Sequence, residues 1–163
     1  ALEGYDALFS PCTPRGVMHL LKHHNIELSG KHVVVLGKSN IVGLPLSLML
    51  LKENATVTVC NSETQNEPAI VRMGDIVISA VGKAGLVKAD WIKPGAVVID
   101  VGINSIVDSS KPSGYRLVGD VDFETVKEVA SLVTPVPGGV GPQTIQFLLQ
   151  ATVDSLERAL NRT

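Results

Sequence analysis

Four short runs of aliphatic and β-branched residues punctuate the chain, each ending at a turn residue. They are His32 to Leu36, Ala55 to Cys60, Asp75 to Val81 and Ala96 to Val101. Runs of this length and make-up predict strands buried on both faces. The segments between them carry helical signals, from about Ile41 to Glu53 and from Glu67 to Met73, with a short piece around Ala89 to Ile92. Strand, helix, strand over about thirty residues fits a right-handed βαβ unit. The pattern predicts an α/β domain of three layers with a mostly parallel sheet.

The flanking segments complete the expected order. Pro11-Cys12-Thr13-Pro14 starts a helix with Thr13 as N-cap and Pro14 at the first helical position; Val17, Leu20 and Leu21 give it an apolar face, and it runs out near Asn25. Asn104 to Arg116 reads as a polar hairpin or excursion, which can present a pairing edge to a second subunit. A short strand, Leu117 to Val121, follows it. Asp122 is then expected to cap a helix through Ala130, and Ser131 to Thr134 to form the last strand. Pro135 to Pro142 is so dense in glycine and proline that it reads as a shaped loop. It opens into a closing helix from Pro142 to about Asn161, where Ile145, Leu149, Val153, Leu156 and Leu160 form a stripe at helical spacing. That stripe is expected to face the core.

Composition narrows the function classes. At 163 residues and 17.2 kDa the chain is one domain by size, and 45% hydrophobic residues with a mean hydropathy of +0.27 suit a sheet covered on both faces. A net charge of −2 leaves no basic footprint, so neither nucleic acid nor an anionic membrane is expected as a partner. Cys12 and Cys60 match neither a zinc spacing nor a disulfide framework, and a reducing compartment is the default. No apolar run reaches membrane-spanning length. Residues 1–10 read as a linker leading into a domain over 11–163, and the chain begins without methionine, as an excised or processed piece would.

The candidate chemistry centres on V-V-V-L-G-K-S-N-I-V-G-L-P, Val33 to Pro45. A strand that ends in a glycine and runs into a helix sets backbone donors at the carboxyl edge of a sheet, where α/β proteins hold phosphates. A P-loop needs a glycine where His32 stands, and a nucleophile elbow needs one where Ile41 stands. The dinucleotide fingerprint fails in its strict form too, with Ser39 at its second glycine and Gly43 one residue late. After the second strand, Lys38 and Ser62 could bind a ribose phosphate while Glu63 argues against it, so cofactor preference leans to NADP with NAD left open. The turn Gly82-Lys83-Ala84-Gly85 could touch a cofactor or simply end a strand. Asp100 could act chemically or cap Gly102-Ile103-Asn104, and the cap is the favoured role. Gly141 and Thr144 stand at the start of the closing helix, a place for an anion or a cofactor amide. His19 and His23, four apart with no matching carboxylate or thiolate, read as solvated histidines.

Taken together, G-K-S-N-I-V-G-L-P, P-C-T-P-R-G, V-I-D-V-G-I-N, V-G-D-V-D-F and T-P-V-P-G-G-V-G-P closely resemble the bifunctional methylenetetrahydrofolate dehydrogenase/cyclohydrolase family, from Ser10 to about Arg158. The resemblance implies a Rossmann-like cofactor domain whose parent oxidises methylenetetrahydrofolate with a nicotinamide cofactor and hydrolyses the methenyl product. It also implies that a catalytic lysine, carried by a Y-x-x-x-K motif in a separate N-terminal domain, lies outside this chain. Here Tyr5 is followed four residues on by Phe9, and Tyr115 by Gly119. Carried over by motif, Gly37, Lys38 and Ser39 would cradle phosphates and Ser62 would approach the ribose phosphate. Thr13, Val81, Gly82, Ile103, Gly141 and Thr144 would line the nicotinamide end, with Pro137 and Gly138 facing a tetrahydrofolate derivative. The resemblance further implies a homodimer in the cytoplasm, with the mitochondrion as the other compartment. Three places depart from the usual family pattern: Lys38 stands for a frequent arginine, Asn61 and Glu63 for basic or histidine side chains, and Gln143 for a methionine. The last is expected to alter packing beside the nicotinamide. A non-catalytic binding or dimerisation module is the rival reading.

Overall fold

The structure, a computed structural model, describes residues 10–161. The expected linker over residues 1–10 lies, apart from Ser10, outside the described residues. In chain order the elements are α1 (Cys12–His23), β1 (His32–Leu36), α2 (Gly43–Lys52), β2 (Thr56–Cys60), α3 (Glu67–Val71) and β3 (Ile76–Ser79). A single 3-10 turn (Ala89–Trp91) precedes β4 (Val97–Asp100), and β5 (Asn104–Val107), β6 (Tyr115–Val118), α4 (Phe123–Val126), β7 (Leu132–Val133) and α5 (Val140–Leu160) follow. No helix among the described residues is long and apolar enough to cross a membrane.

The main sheet has the order β2-β1-β3-β4-β7 and every pairing in it is parallel. Strand alternation divides its side chains between two cores. Val33, Val35, Ile76, Ile78, Val97 and Ile99 meet Val17 and Leu21 of α1 and Leu46 and Leu50 of α2 on one face. On the other, Val34, Leu36, Val77 and Val98 meet Val71 of α3, Ile92 and Val126 of α4. Burying each such side chain is worth about 1.5–3 kcal/mol, which is why the central strands carry almost no polar residue. The three-layer α/β architecture is the one the strand runs dictate.

Four local expectations are corrected. Thr13 is not the N-cap of α1; Pro11 holds that place in extended conformation, and Thr13 lies in the first turn with its hydroxyl 3.2 Å from that of Thr144. The strand expected over Leu117 to Val121 is instead Tyr115–Val118, and it pairs antiparallel with β5 in a separate two-stranded ribbon. Its side chains are largely exposed, because the ribbon stands off the main sheet. Asp122 gives α4 no side-chain cap; its carboxylate takes the Lys88 ammonium at 3.1 Å, and α4 stops after Val126.

The fourth correction is the largest. The stripe on α5 does not face the core: Ile145, Leu149, Val153, Leu156 and Leu160 are each half or more exposed, and Val140 is the only buried residue of this helix. α5 packs against α1 with another face. There Gln143 reaches Gly16, whose missing Cβ would stand 3.0 Å from Gln143 Cβ, and Phe147 lies under the Arg15 guanidinium at 4.6 Å. Helical periodicity reveals an apolar face and says nothing of what covers it.

Candidate functional site

Because the strands of the main sheet are parallel, the loops after β1, β2, β3, β4 and β7 all leave one edge. Chain order reverses around β1, with β2 on one side and β3 on the other. The crevice outside the ends of β1 and β3 is therefore the topological switch point, where open α/β sheets take up ligands.

Gly37 leaves β1 at φ 105°, and a Cβ there would stand 2.3 Å from the Ala80 carbonyl oxygen. At Gly43, the first residue of α2, a Cβ would stand 2.0 Å from the Gly37 carbonyl oxygen. The loops after β1 and β3 and the start of α2 thus touch through bare backbone. Ser39 completes the turn by accepting the Val42 N–H at 3.2 Å and, more weakly, the Gly43 N–H at 3.4 Å. A serine hydroxyl and a late glycine give the tight turn that the strict fingerprint builds with glycines. Lys38 and Ser39 are exposed above it.

After β2, the exposed Ser62 hydroxyl donates to Glu63 Oε1 at 3.3 Å, and the Glu63 N–H donates to Asn61 Oδ1 at 3.1 Å. Glu63 therefore shares the turn with the hydroxyl expected to approach a phosphate. Behind this edge, burial pushes the Glu67 carboxyl up while the Lys83 charge pulls it back. Burial, and then the charge of Glu67, push the Cys60 thiol up.

The ends of β3 and β4 are organised by two aspartates. Asp120 is fully buried and its carboxyl oxygens accept the backbone N–H groups of Val81 at 2.8 Å, Gly82 at 3.1 Å and Lys83 at 3.0 Å. Asn104 Nδ2 donates to it at 2.9 Å and the Ser79 hydroxyl at 3.3 Å. Asp100 accepts N–H groups from Gly102 at 2.9 Å, Asp120 at 3.0 Å and Val121 at 2.8 Å, the capping role favoured for it. Burial pushes its carboxyl up to about 6 and the Asp120 charge adds to this, against the three N–H bonds. Asp120 and Asn104 were not among the residues singled out from the sequence. The one signal for Asp120 was its place in V-G-D-V-D-F.

The remaining expected residues lie at the same edge or beside it. Ile103, just beyond β4, is 62% exposed, and Pro137 and Gly138 are exposed in the loop after β7, Gly138 at φ 108°. Gly141 lies in the first turn of α5, and beyond its chain neighbours and its own helix backbone nothing lies within 4 Å of where a Cβ would be. Thr144, one turn on, meets Thr13 of α1. Topology therefore gathers segments from across the chain at one sheet edge. Among the described residues no group of three or more His, Cys, Asp or Glu is placed to hold a metal.

Residues 11–160 match the family described as tetrahydrofolate dehydrogenase/cyclohydrolase, NAD(P)-binding domain. The chain is 60% identical over 151 residues to the cytoplasmic C-1-tetrahydrofolate synthase of Schizosaccharomyces pombe, covering 93% of this chain and 16% of that protein. It is 56% identical over 158 residues to Bifunctional protein FolD 2 of Arabidopsis thaliana, covering 97% of this chain and 53% of that protein. The crystal structure of Trypanosoma brucei methylenetetrahydrofolate dehydrogenase-cyclohydrolase, complexed with NADP and an inhibitor, superposes with a TM-score of 0.90 at 49% identity, over 95% of this chain and 53% of that one. The chain thus spans about half the length of its FolD relatives and less of the synthase. The residues at the sheet edge and these likenesses lead to one statement: the chain belongs to the tetrahydrofolate dehydrogenase/cyclohydrolase family and corresponds to its NAD(P)-binding domain.

Proposed function

We propose that this chain is the cofactor half of a methylenetetrahydrofolate dehydrogenase/methenyltetrahydrofolate cyclohydrolase, with NADP as its cofactor and NAD as the second candidate. The observation that carries the proposal is the turn at the switch point. There Gly37 lies against Ala80 and Gly43 against Gly37, leaving Lys38 and Ser39 exposed where a pyrophosphate would approach. A Cβ at either glycine would occupy space that only bare backbone fits, which is the steric property such a turn needs.

Lys38 supplies the local charge that the acidic chain otherwise lacks. Ser62 meets the ribose phosphate once its hydroxyl turns away from Glu63. Thr13, Val81, Gly82, Ile103, Gly141 and Thr144 border the nicotinamide end, and Pro137 and Gly138 the folate side. When bound, the nicotinamide would supply the hydride-accepting chemistry for oxidation of the folate's methylene carbon. The chain's own part is to hold the two reacting faces together.

The lysine of the Y-x-x-x-K motif belongs, in this proposal, to a separate N-terminal domain joined through residues 1–10. The exposed stripe on α5 supports such a partner, since a domain seated on Ile145, Leu149 and Leu156 would bury it. The largely exposed ribbon of β5 and β6 supports a homodimer. Two free cysteines suit a reducing compartment, cytoplasmic as the first candidate and mitochondrial as the second.

Calorimetric titration of the chain with NADP and with NAD tests the cofactor assignment, and joining it to a Y-x-x-x-K domain tests the activity. Micromolar NADP binding and NADPH formation from methylenetetrahydrofolate are expected. Absence of binding of both nucleotides at millimolar concentration would sink the proposal.

A further inference from the structure

The carboxyl group of Asp120 is fully buried, and its five partners, three backbone N–H groups, the Asn104 amide and the Ser79 hydroxyl, all donate to it. Three of those donors are consecutive. Gly82 adopts φ 68°, and this left-handed step turns the N–H groups of Val81, Gly82 and Lys83 toward one point, an anion-binding nest filled here by the protein's own side chain. Asp120 also reaches the loop after β4. A Cβ on Gly102 would stand 2.1 Å from Asp120 Oδ1, and Asn104 is bonded to the same oxygen, so Ile103 lies between a glycine packed against Asp120 and an asparagine bonded to it. Two chain segments proposed to border the nicotinamide are thus pinned by one residue that neither contains.

We infer that Asp120 is a positioning residue for the nicotinamide half of the cofactor, acting through the Val81–Gly82 turn and through Ile103, with no part in holding the adenosine half. The inference rests on the cofactor assignment above. With the N–H groups of Val81 and Gly82 committed to Asp120, polar contacts from that turn to a ligand fall to its carbonyl oxygens, which suit a donor such as the amide of a carboxamide. On the adenosine side, Gly37, Lys38, Ser39 and Ser62 form no hydrogen bond with Asp120.

The test compares NADP with 2′,5′-ADP, which carries the adenosine ribose phosphate and lacks the nicotinamide, by calorimetry on the full chain and its Asp120→Asn variant. The substitution keeps the volume and sets an amide against converging donors. NADP affinity is expected to fall about tenfold, the equivalent of one to two hydrogen bonds, with 2′,5′-ADP affinity unchanged within about twofold. General loosening of the fold would weaken both ligands alike, and that result, or unchanged NADP binding by a folded variant, would overturn the inference. Should Asp120→Asn not fold, Asn104→Ala carries the same comparison, with about a threefold loss for NADP alone expected and an equal loss for both ligands overturning it. A wild-type chain that binds neither ligand refutes the cofactor assignment itself, a result distinct from either.

Discussion

Asp100 and Asp120 lock each other's loops. Asp100 Oδ1 accepts the backbone N–H of Asp120 at 3.0 Å and that of Gly102 at 2.9 Å, while a Cβ at Gly102 would stand 2.1 Å from Asp120 Oδ1 and clash with it. On the other loop, a Cβ at Gly119 would stand 1.8 Å from Asp100 Oδ2. Each aspartate thus depends on a glycine beside the other. The pair fastens the end of β4 to the segment that follows β6, and through Asp120 to the end of β3.

Gly119→Ala is therefore expected to destabilise the domain by about 3 kcal/mol or more, since the added methyl displaces a buried carboxyl group that holds three N–H groups. Gly141→Ala, at a site with open space and no positive φ, is expected to change stability by less than about 0.5 kcal/mol. Urea unfolding of the two variants checks the contrast.

The raised Asp100 carboxyl sets a pH dependence with a definite sign. Its folded value, about 6, lies above the ordinary aspartate value of 3.8, so the unfolded chain ionises first as pH rises. The stability it contributes is present below about pH 4 and is lost as pH climbs toward 6, by on the order of 2–3 kcal/mol. Asp75, lowered by its bond from Lys93, works in the opposite direction at lower pH. Stability curves of the wild type and Asp100→Asn between pH 4 and 7 should therefore converge as pH rises, and parallel curves would refute the assignment.

Removing the Lys38 charge by Lys38→Gln is expected to weaken NADP about tenfold and NAD less than threefold, because the extra phosphate is the group the ammonium would meet. Glu63→Gln should act in the other direction. It removes a carboxylate that holds the Ser62 hydroxyl at 3.3 Å and would repel a phosphate bound there, so NADP affinity should rise severalfold with NAD little changed. Titration of both variants with both nucleotides decides it.

Gln143 carries a cost that its usual methionine counterpart would avoid. Its Oε1 is buried with no hydrogen-bond partner among the described residues, between α1 and α5. Gln143→Met is expected to raise stability by about 1 kcal/mol, read as a higher Tm by calorimetry.

The exposed stripe on α5 separates folding from assembly. Leu149→Gln with Leu156→Gln should leave the isolated domain within about 1 kcal/mol of wild type, since both side chains are more than 60% exposed. Joined to a Y-x-x-x-K domain, the same pair of changes should loosen interdomain contact. Thermal unfolding of the domain alone and of the joined protein gives the two readings.

The strand runs, the glycine turn and the shaped loop before α5 were legible in the sequence because each is a local property. A run such as Val33 to Leu36 is apolar at every position only if both faces of its strand are covered, and Gly37 can be recognised where a strand must turn sharply. The variant fingerprint was legible as a deviation, and the structure supplied its reason in the contacts of Gly37 with Ala80 and of Gly43 with Gly37. The sequence did not reveal that Asp120, from the far side of the β5–β6 ribbon, fills the nest at the end of β3, because no local pattern encodes a contact across 37 to 39 residues. Nor could periodicity tell a face turned to the core from one turned outward, as on α5. The sequence by itself determined which apolar runs become the central strands and where the backbone must be bare; tertiary structure alone decided which loops share a carboxylate and which apolar face stays open, since both depend on how distant segments are brought together.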